Sequence, residues 1–303
     1  MAADGAAGAR RASALLTIAV CAETSYATMM EEGAKIDLLV QFRDAFTRKH
    51  LLSCQCQVKS GPSYLSTSKK KRFALTIDKE TVNALRATTG PGLLIWVPNL
   101  PSRRVHWHVI SPHGPVRTPL VLSHDRVITP ALRYELTRAA IAGRWTQPTH
   151  RLDVANRSAT VAKLRARDAY GELQKTWTHP LVGDFMVSRF GWRHITGRAR
   201  PRAHREQSLL VAPYLAQFLE LAPQRYISQI VHTTTIHGRV LEERHIVCWY
   251  RGALRISGIA HSLALRFEEE ISYPTDWETR PLGDRHVQQR ARLAGWWTKE
   301  TPR

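Results

Sequence analysis

Five consecutive apolar residues, Leu93-Leu94-Ile95-Trp96-Val97, constrain the fold more than any other feature of this chain. A run of that length suits a strand, and without polar alternation it must be covered on both faces. A sheet with packing layers on either side follows, which is the arrangement of an α/β domain. The neighbouring segments agree. Over 51–60, Cys54, Cys56 and Val58 alternate with Gln55, Gln57 and Lys59, so one face is apolar and the other carries chemistry. Residues 36–42 read as a shorter strand, 73–77 as another, and 105–110 as the final one. Residues 7–24 suit a helix that leads into a turn at Met29-Met30-Glu31-Glu32-Gly33, and 60–72 is a polar loop. Asp78 and Glu80 occupy the first turn of a helix that Gly90-Pro91-Gly92 ends, and Thr129-Pro130 opens one running to about residue 142.

A chain of 303 residues can fill two cores, and the polar, proline-containing stretch 145–152 divides it into domains 1–148 and 149–303. The expected fold class is an α/β mixed sheet flanked by helices, followed by an α+β domain. In the second domain 158–177 and 203–221 read as helices, then 226–235, 240–250 and 263–273 as antiparallel strands. The Arg-rich segment after Pro281 reads as a terminal helix or a disordered tail. Trp296-Trp297 within it suits apolar docking, or stacking on bases.

Lys and Arg number 44 against 25 Asp and Glu, and this excess of 19 positive charges calls for a polyanionic partner. Nucleic acid, DNA ahead of RNA, is the expectation, with salt-sensitive binding. Lys69, Lys70, Lys71 and Arg72 form the densest basic run, suited to phosphate contacts or simply to solvation. Cys21, Cys54, Cys56 and Cys248 are too few and too irregularly spaced for a disulfide framework or a zinc knuckle, so a reducing cytoplasm is expected. Cys54 and Cys56 should pack on one strand face. Arg10 and Arg11 before the apolar run 14–19 outline a signal peptide, at the short limit for one, and no apolar stretch has the length of a membrane span. A homodimer is left open. Neither a Walker loop, a dinucleotide fingerprint nor a G-x-S-x-G elbow is present.

Hydrolysis of a phosphodiester at neutral pH needs a divalent ion on oxygen ligands, a water to activate, and a cation for the developing charge. Asp37, Gln57 and Lys59 can fill these roles: the last two share a strand face, and Asp37 lies on a preceding strand able to pair beside them.

The segments Gly33-Ala34-Lys35-Ile36-Asp37-Leu38-Leu39-Val40 and Gln57-Val58-Lys59-Ser60-Gly61, with Ser63-Tyr64, the run 93–97 and Trp107, resemble a PD-(D/E)xK nuclease-like domain. The likeness is to the subgroup whose motif reads QxK, and it covers about the first 110 to 140 residues. It implies that Asp37 binds Mg²⁺ or Mn²⁺, that Gln57 offers an amide oxygen and Val58 its carbonyl, and that Lys59 orients water or stabilises the pentacovalent charge. Gln57 stands where such enzymes carry a carboxylate, which weakens the hold on a hard cation. A glutamate on the first helix has no clear counterpart here, so a catalytically silent nucleic-acid-binding domain is the alternative.

In the second half, His194, Arg198 and Arg200, followed by His204 and Ser208, gather an acid/base group and anion-binding guanidiniums. Helices followed by an antiparallel sheet resemble the layout of barnase, EndoU, colicin and RelE-type RNases, which would make this a metal-independent RNase site; a structural or surface histidine is the plainer reading of His194. His106 and His108 flank Trp107 and share a strand face, suited to a transition metal or to solvent exposure.

Overall fold

The alternation over 51–60 becomes strand β3 (Leu51–Ser60), the centre of a five-stranded mixed sheet. The computed structural model describes residues 2–28, 33, 35–69, 72–88, 90–98, 104–110, 118–142, 152–155, 158–197, 199–279 and 282–301. Sheet order is β1 (Glu23–Tyr26), β2 (Leu38–Arg43), β3, β6 (Gly92–Val97) and β7 (His106–Ile110). β1, β2 and β3 are antiparallel neighbours, β6 runs parallel to β3, and β7 returns antiparallel. Every residue of β6 is buried, as its unbroken apolar run demands.

Two layers cover that sheet. The face carrying Cys54, Cys56 and Val58 packs beneath α1 (Ala2–Val20), whose Gly8 lies against Val58 and Ser60. α3 (Leu132–Ala142) packs against α1 and β3. The opposite face presents Leu94, Trp96 and Ile110 to a three-stranded antiparallel sheet and to α2 (Lys79–Arg86). That small sheet is β4 (Leu65–Lys69), β5 (Arg72–Leu75) and β8 (Leu120–Ser123), and Phe73, Leu75, Val82 and Leu122 close the core. Asp78, read from the sequence as part of the first turn, instead caps α2 by accepting from the Thr81 amide at 2.6 Å and its hydroxyl at 2.8 Å.

The chain divides into two compact units. The first is Met1–Gly143 with Thr235–Val240 and Ser272–Gln288; the second is Arg144–Thr234, Leu241–Ile271 and Gln289–Arg303. In the second, α4 (Ala159–Glu172), α5 (Arg189–Thr196), α6 (Arg202–Val211) and α7 (Ala216–Leu219) accompany a seven-stranded sheet. Its order is β10 (Thr176–His179), β11 (Gly183–Met186), β15 (Gln288–Glu300), β14 (Ile259–Pro274), β13 (Arg239–Ile256) and β12 (Arg225–Ile236), with β9 (Leu152–Val154) added parallel to β13. Tyr170, Phe185, Phe218, Phe267 and Trp296 centre its core. The whole is an α/β chain with an antiparallel-rich C-terminal sheet.

Several elements differ from the sequence reading. The Arg-rich segment after Pro281 is neither helix nor disordered tail: it becomes strand β15, because Leu293, Ala294 and Trp296 are buried in the sheet. The 60–72 loop contains a strand, β4; β7 is followed by β8; and the first helix stops at Val20, so that 23–26 forms β1. The helix expected over 158–177 ends at Glu172, and β10 begins at Thr176. Among the described residues no helix is long and apolar enough to cross a membrane.

Candidate functional site

Asp37 sits one residue ahead of β2 and is held from both sides by backbone. Its amide donates to the Cys56 carbonyl at 2.8 Å, and its own carbonyl accepts from Ala27 at 3.0 Å. The β2–β3 register pairs Leu38 with Cys56, so Asp37 falls opposite Gln57 and shares its face. The side chains meet: Gln57 Nε2 donates to Asp37 Oδ2, and that oxygen also accepts the Val58 amide at 2.6 Å. Gln57 Nε2 stands 3.4 Å from the Val58 carbonyl oxygen, while Gln57 Oε1 is buried with no hydrogen-bond partner among the described residues.

This geometry bears on whether a cation suits the residues present. The amide NH₂, the positive end of the Gln57 dipole, lies between a carboxylate oxygen and a carbonyl oxygen. Rotating the amide by half a turn exchanges its nitrogen and oxygen. The Gln57 oxygen would then take the NH₂ position beside the Asp37 carboxylate and the Val58 carbonyl, and these oxygens repel unless a cation is held between them. The donors are hard oxygens, as Mg²⁺ and Mn²⁺ require, with a single carboxylate to supply negative charge. Among the described residues no three His, Cys, Asp or Glu side chains gather as a metal-binding group.

Lys59, two residues along β3, lies on the Gln57 face, beside Trp96 of β6. Its ammonium is 5.6 Å from the centre of the Tyr64 ring, a cation–π contact. Gly61 makes this possible: its φ of 96° turns the chain back, and its carbonyl accepts the Trp96 indole N–H at 3.0 Å. Lys59 also acts on Asp78. Burial raises that carboxyl, but the Thr81 amide and hydroxyl together with the Lys59 ammonium outweigh it and hold it below the usual carboxylate range. Behind the site, burial pushes the Cys56 thiol well up, with Cys54 and Asp37 adding to the effect, so this sulfur stays protonated.

Of the basic run, Arg72 is exposed at the start of β5 and Lys69 ends β4; Lys70 and Lys71 lie outside the described residues. His106 and His108 do share a face, but His106 is buried, packed between Trp96, Phe73 and His124, so solvent exposure does not explain it. Both Nδ1 atoms are buried and, among the described residues, without a hydrogen-bond partner. Burial pushes each imidazole down to about 4, helped at His106 by His124 and Arg104 and at His108 by Arg126.

In the second unit, Ser208 is fully buried, donating to the Trp296 carbonyl at 3.2 Å while its own carbonyl accepts the Trp296 indole at 2.9 Å. His204 is exposed on α6, and Arg198 lies outside the described residues. His194 and Arg200 come together near residues that sequence reasoning missed, His245, Arg266 and Glu268. The only available hint was strand alternation, which places Arg266 and Glu268 on one face but says nothing of the neighbouring register. Comparison with models of protein families, with curated proteins and with solved structures finds no match.

Proposed function

We propose that the first unit is a metal-dependent nuclease of the QxK-bearing PD-(D/E)xK-like kind, hydrolysing DNA phosphodiester bonds in a restriction or phage-defence setting. One observation carries the reading: Asp37, Gln57 and the Val58 main chain converge on a single point, and Lys59 follows on the same face. Asp37, Gln57 Oε1 and the Val58 carbonyl would hold Mg²⁺ or Mn²⁺, which when bound polarises the phosphodiester and lowers the pKa of a coordinated water. Lys59 brings a fixed positive charge to the phosphoryl oxygens, where charge builds in the transition state. Tyr64 keeps that ammonium over its ring and so limits the directions it can take. The excess of 19 positive charges favours a polyanionic substrate. A cytoplasmic setting accords with cysteines that remain thiols.

The test is cleavage of duplex DNA by wild type, Asp37→Ala and Lys59→Ala in Mg²⁺, Mn²⁺ or EDTA. Metal-dependent cleavage that falls by about 10²-fold or more in either variant is expected. Cleavage that survives EDTA would overturn the reading. Salt-sensitive DNA binding with no cleavage under any metal would favour the silent nucleic-acid-binding domain instead.

A further inference from the structure

A second concentration of charge lies wholly within the other unit. Arg266 and Glu268 are two apart on β14 and therefore share a face. From β15, Arg292 reaches Glu268 Oε2 with Nε at 3.0 Å and Nη2 at 2.7 Å. Arg266 Nη2 is 3.1 Å from Glu268 Oε1, and His245 Nε2 of β13 is 3.9 Å from the same oxygen. Helix α5 approaches β15 through two glycines: a side chain on Gly191 would strike the Leu293 carbonyl, and a Cβ on Gly295 would come within 3.0 Å of the His194 ring. This close approach seats His194 where Arg266, Arg200, Glu268 and His245 all act on it. Arg200, in the turn after α5, is steadied by the Trp296 carbonyl at 3.4 Å and lies within reach of the charge on Arg266.

The balance of these groups is not that of a closed ion-pair network. Arg266 and Arg292 share the Glu268 carboxylate, Arg200 adds a third guanidinium beside them, and Glu243 acts on His245 as a second carboxylate, which leaves an excess of one positive charge before either histidine is counted. Arg266 Nε is buried and, among the described residues, has no hydrogen-bond partner, and a buried donor left unmet disfavours the structure until an acceptor arrives. The cluster is open to solvent: the side chains of Arg292 and His245 are 49% and 38% exposed. An unmet donor on Arg266, two further guanidiniums, two imidazoles and Glu268 holding Arg266 and Arg292 in register suit the charge and hydrogen bonding of a phosphate group.

We propose that His194, Arg200, His245, Arg266 and Arg292 form a phosphate-binding site for the backbone of a polynucleotide, with Glu268 as the residue that positions two of the arginines and His245. This site is separate from the Asp37 centre and needs no metal. Unliganded, His194 is held below the usual imidazole range first by burial, then by Arg266 and Arg200, with Glu268 opposing and His245 adding to the lowering. His245 is lowered likewise by burial and Arg266, against Glu268 and Glu243. A bound phosphate reverses the sign of the local field and raises both.

The experiment uses the full chain in EDTA. Inorganic phosphate is titrated against the imidazole NMR signals, assigned with His194→Gln and His245→Gln, and labelled single-stranded RNA and DNA are titrated by fluorescence anisotropy. Phosphate should raise both imidazole titration midpoints. Arg266→Gln should weaken oligonucleotide binding about tenfold and flatten its salt dependence, with Arg266→Lys intermediate and Arg165→Gln, an exposed site on α4, unchanged. Circular dichroism and the urea midpoint of each variant separate loss of binding from loss of fold. All of these signals are read in EDTA and without cleavage, so failure here and failure of the metal-dependent nuclease reading are distinguishable. Unmoved imidazole midpoints, or oligonucleotide affinity indifferent to Arg266 and Arg200 in folded variants, overturn the site; a phosphate response without oligonucleotide binding overturns the polynucleotide assignment.

Discussion

The Gln57 amide donates to the Asp37 carboxylate across the β2–β3 pair while its own oxygen stays buried without a hydrogen-bond partner among the described residues. A satisfied donor beside an unsatisfied acceptor on the same planar group is an incomplete arrangement. With the amide turned by half a turn that oxygen would face Asp37, and a cation held between the two would complete it.

Gln57→Glu tests this directly. The second carboxylate would lose the donated hydrogen bond and face Asp37 at close range, where like charges repel. In EDTA the variant should melt lower than wild type by about 2–8 °C, corresponding to about 1–2 kcal/mol. Millimolar Mg²⁺ or Mn²⁺ should recover that loss and stabilise the variant more than wild type, because two carboxylates hold a hard cation better than one. Scanning fluorimetry with and without metal reads the difference, and a variant whose Tm ignores divalent ions would count against a cation at Asp37.

The link from Lys59 to Asp78 joins the candidate site to the stability of α2. Asp78→Ala removes the cap on Thr81 and should cost about 1 kcal/mol, within a range of about 0.5–2; Asp78→Asn keeps an accepting oxygen and should lose less. Because the folded-state pKa of Asp78 is lowered, its stabilisation is present above the ordinary aspartate pKa of about 3.9 and disappears as pH falls through the folded value. Urea midpoints for wild type and Asp78→Ala should therefore converge in acid. A gap that persists at pH 2 would contradict the assignment.

How much of this was legible depends on how local the signal is. The period-two alternation of β3 and the unbroken apolar run of β6 are properties of short segments, and both strands form where the pattern puts them. The acidic start of α2 is equally local. β1 was hidden because α1 ends without glycine or proline at Cys21, a non-glycine residue with φ of 55°. β4, Leu-Ser-Thr-Ser-Lys, is polar because it lies at the edge of its small sheet, where solvation replaces packing. β15 looked like a charged tail because both of its ends are exposed or half-buried and only its middle, 293–296, enters the core. At the candidate site, the sequence spacing placed Gln57 and Lys59 together, but which way the Gln57 amide points follows from cross-strand register. The arginine cluster gathers side chains from three strands, a helix and a turn, a grouping that no single segment encodes.

Gly92, the first residue of β6, allows α2 to close on the sheet. A Cβ there would fall on the Leu85 carbonyl and lie 2.7 Å from the Leu85 Cβ. Since backbone is involved, a side-chain rotation alone cannot relieve the clash. Gly92→Ala should destabilise the first unit by about 1–3 kcal/mol, read as a lowered urea midpoint by tryptophan fluorescence. Wild-type stability would mean that α2 shifts freely, and would weaken the account of how Asp78 is held near Lys59.

His106 and His108 make the strongest claim about pH. Both are held near 4 by burial, with positive neighbours adding to it, whereas an unfolded histidine titrates near 6.5. Between those values the unfolded chain binds protons that the folded chain refuses. Stability is therefore full above about pH 6.5 and falls as pH drops toward 4, by about 1.4 kcal/mol per pH unit for each histidine. His106→Gln and His108→Gln should each remove its own share of that slope, and the double variant both shares, leaving what the likewise lowered His194 and His245 contribute, even where the substitutions lower stability at neutral pH. Urea unfolding followed through tryptophan fluorescence from pH 7.5 to 4 measures the slope. An unchanged slope in the double variant would show that other groups set the acid sensitivity, and that His106 and His108 take up protons in the folded chain as readily as in the unfolded one.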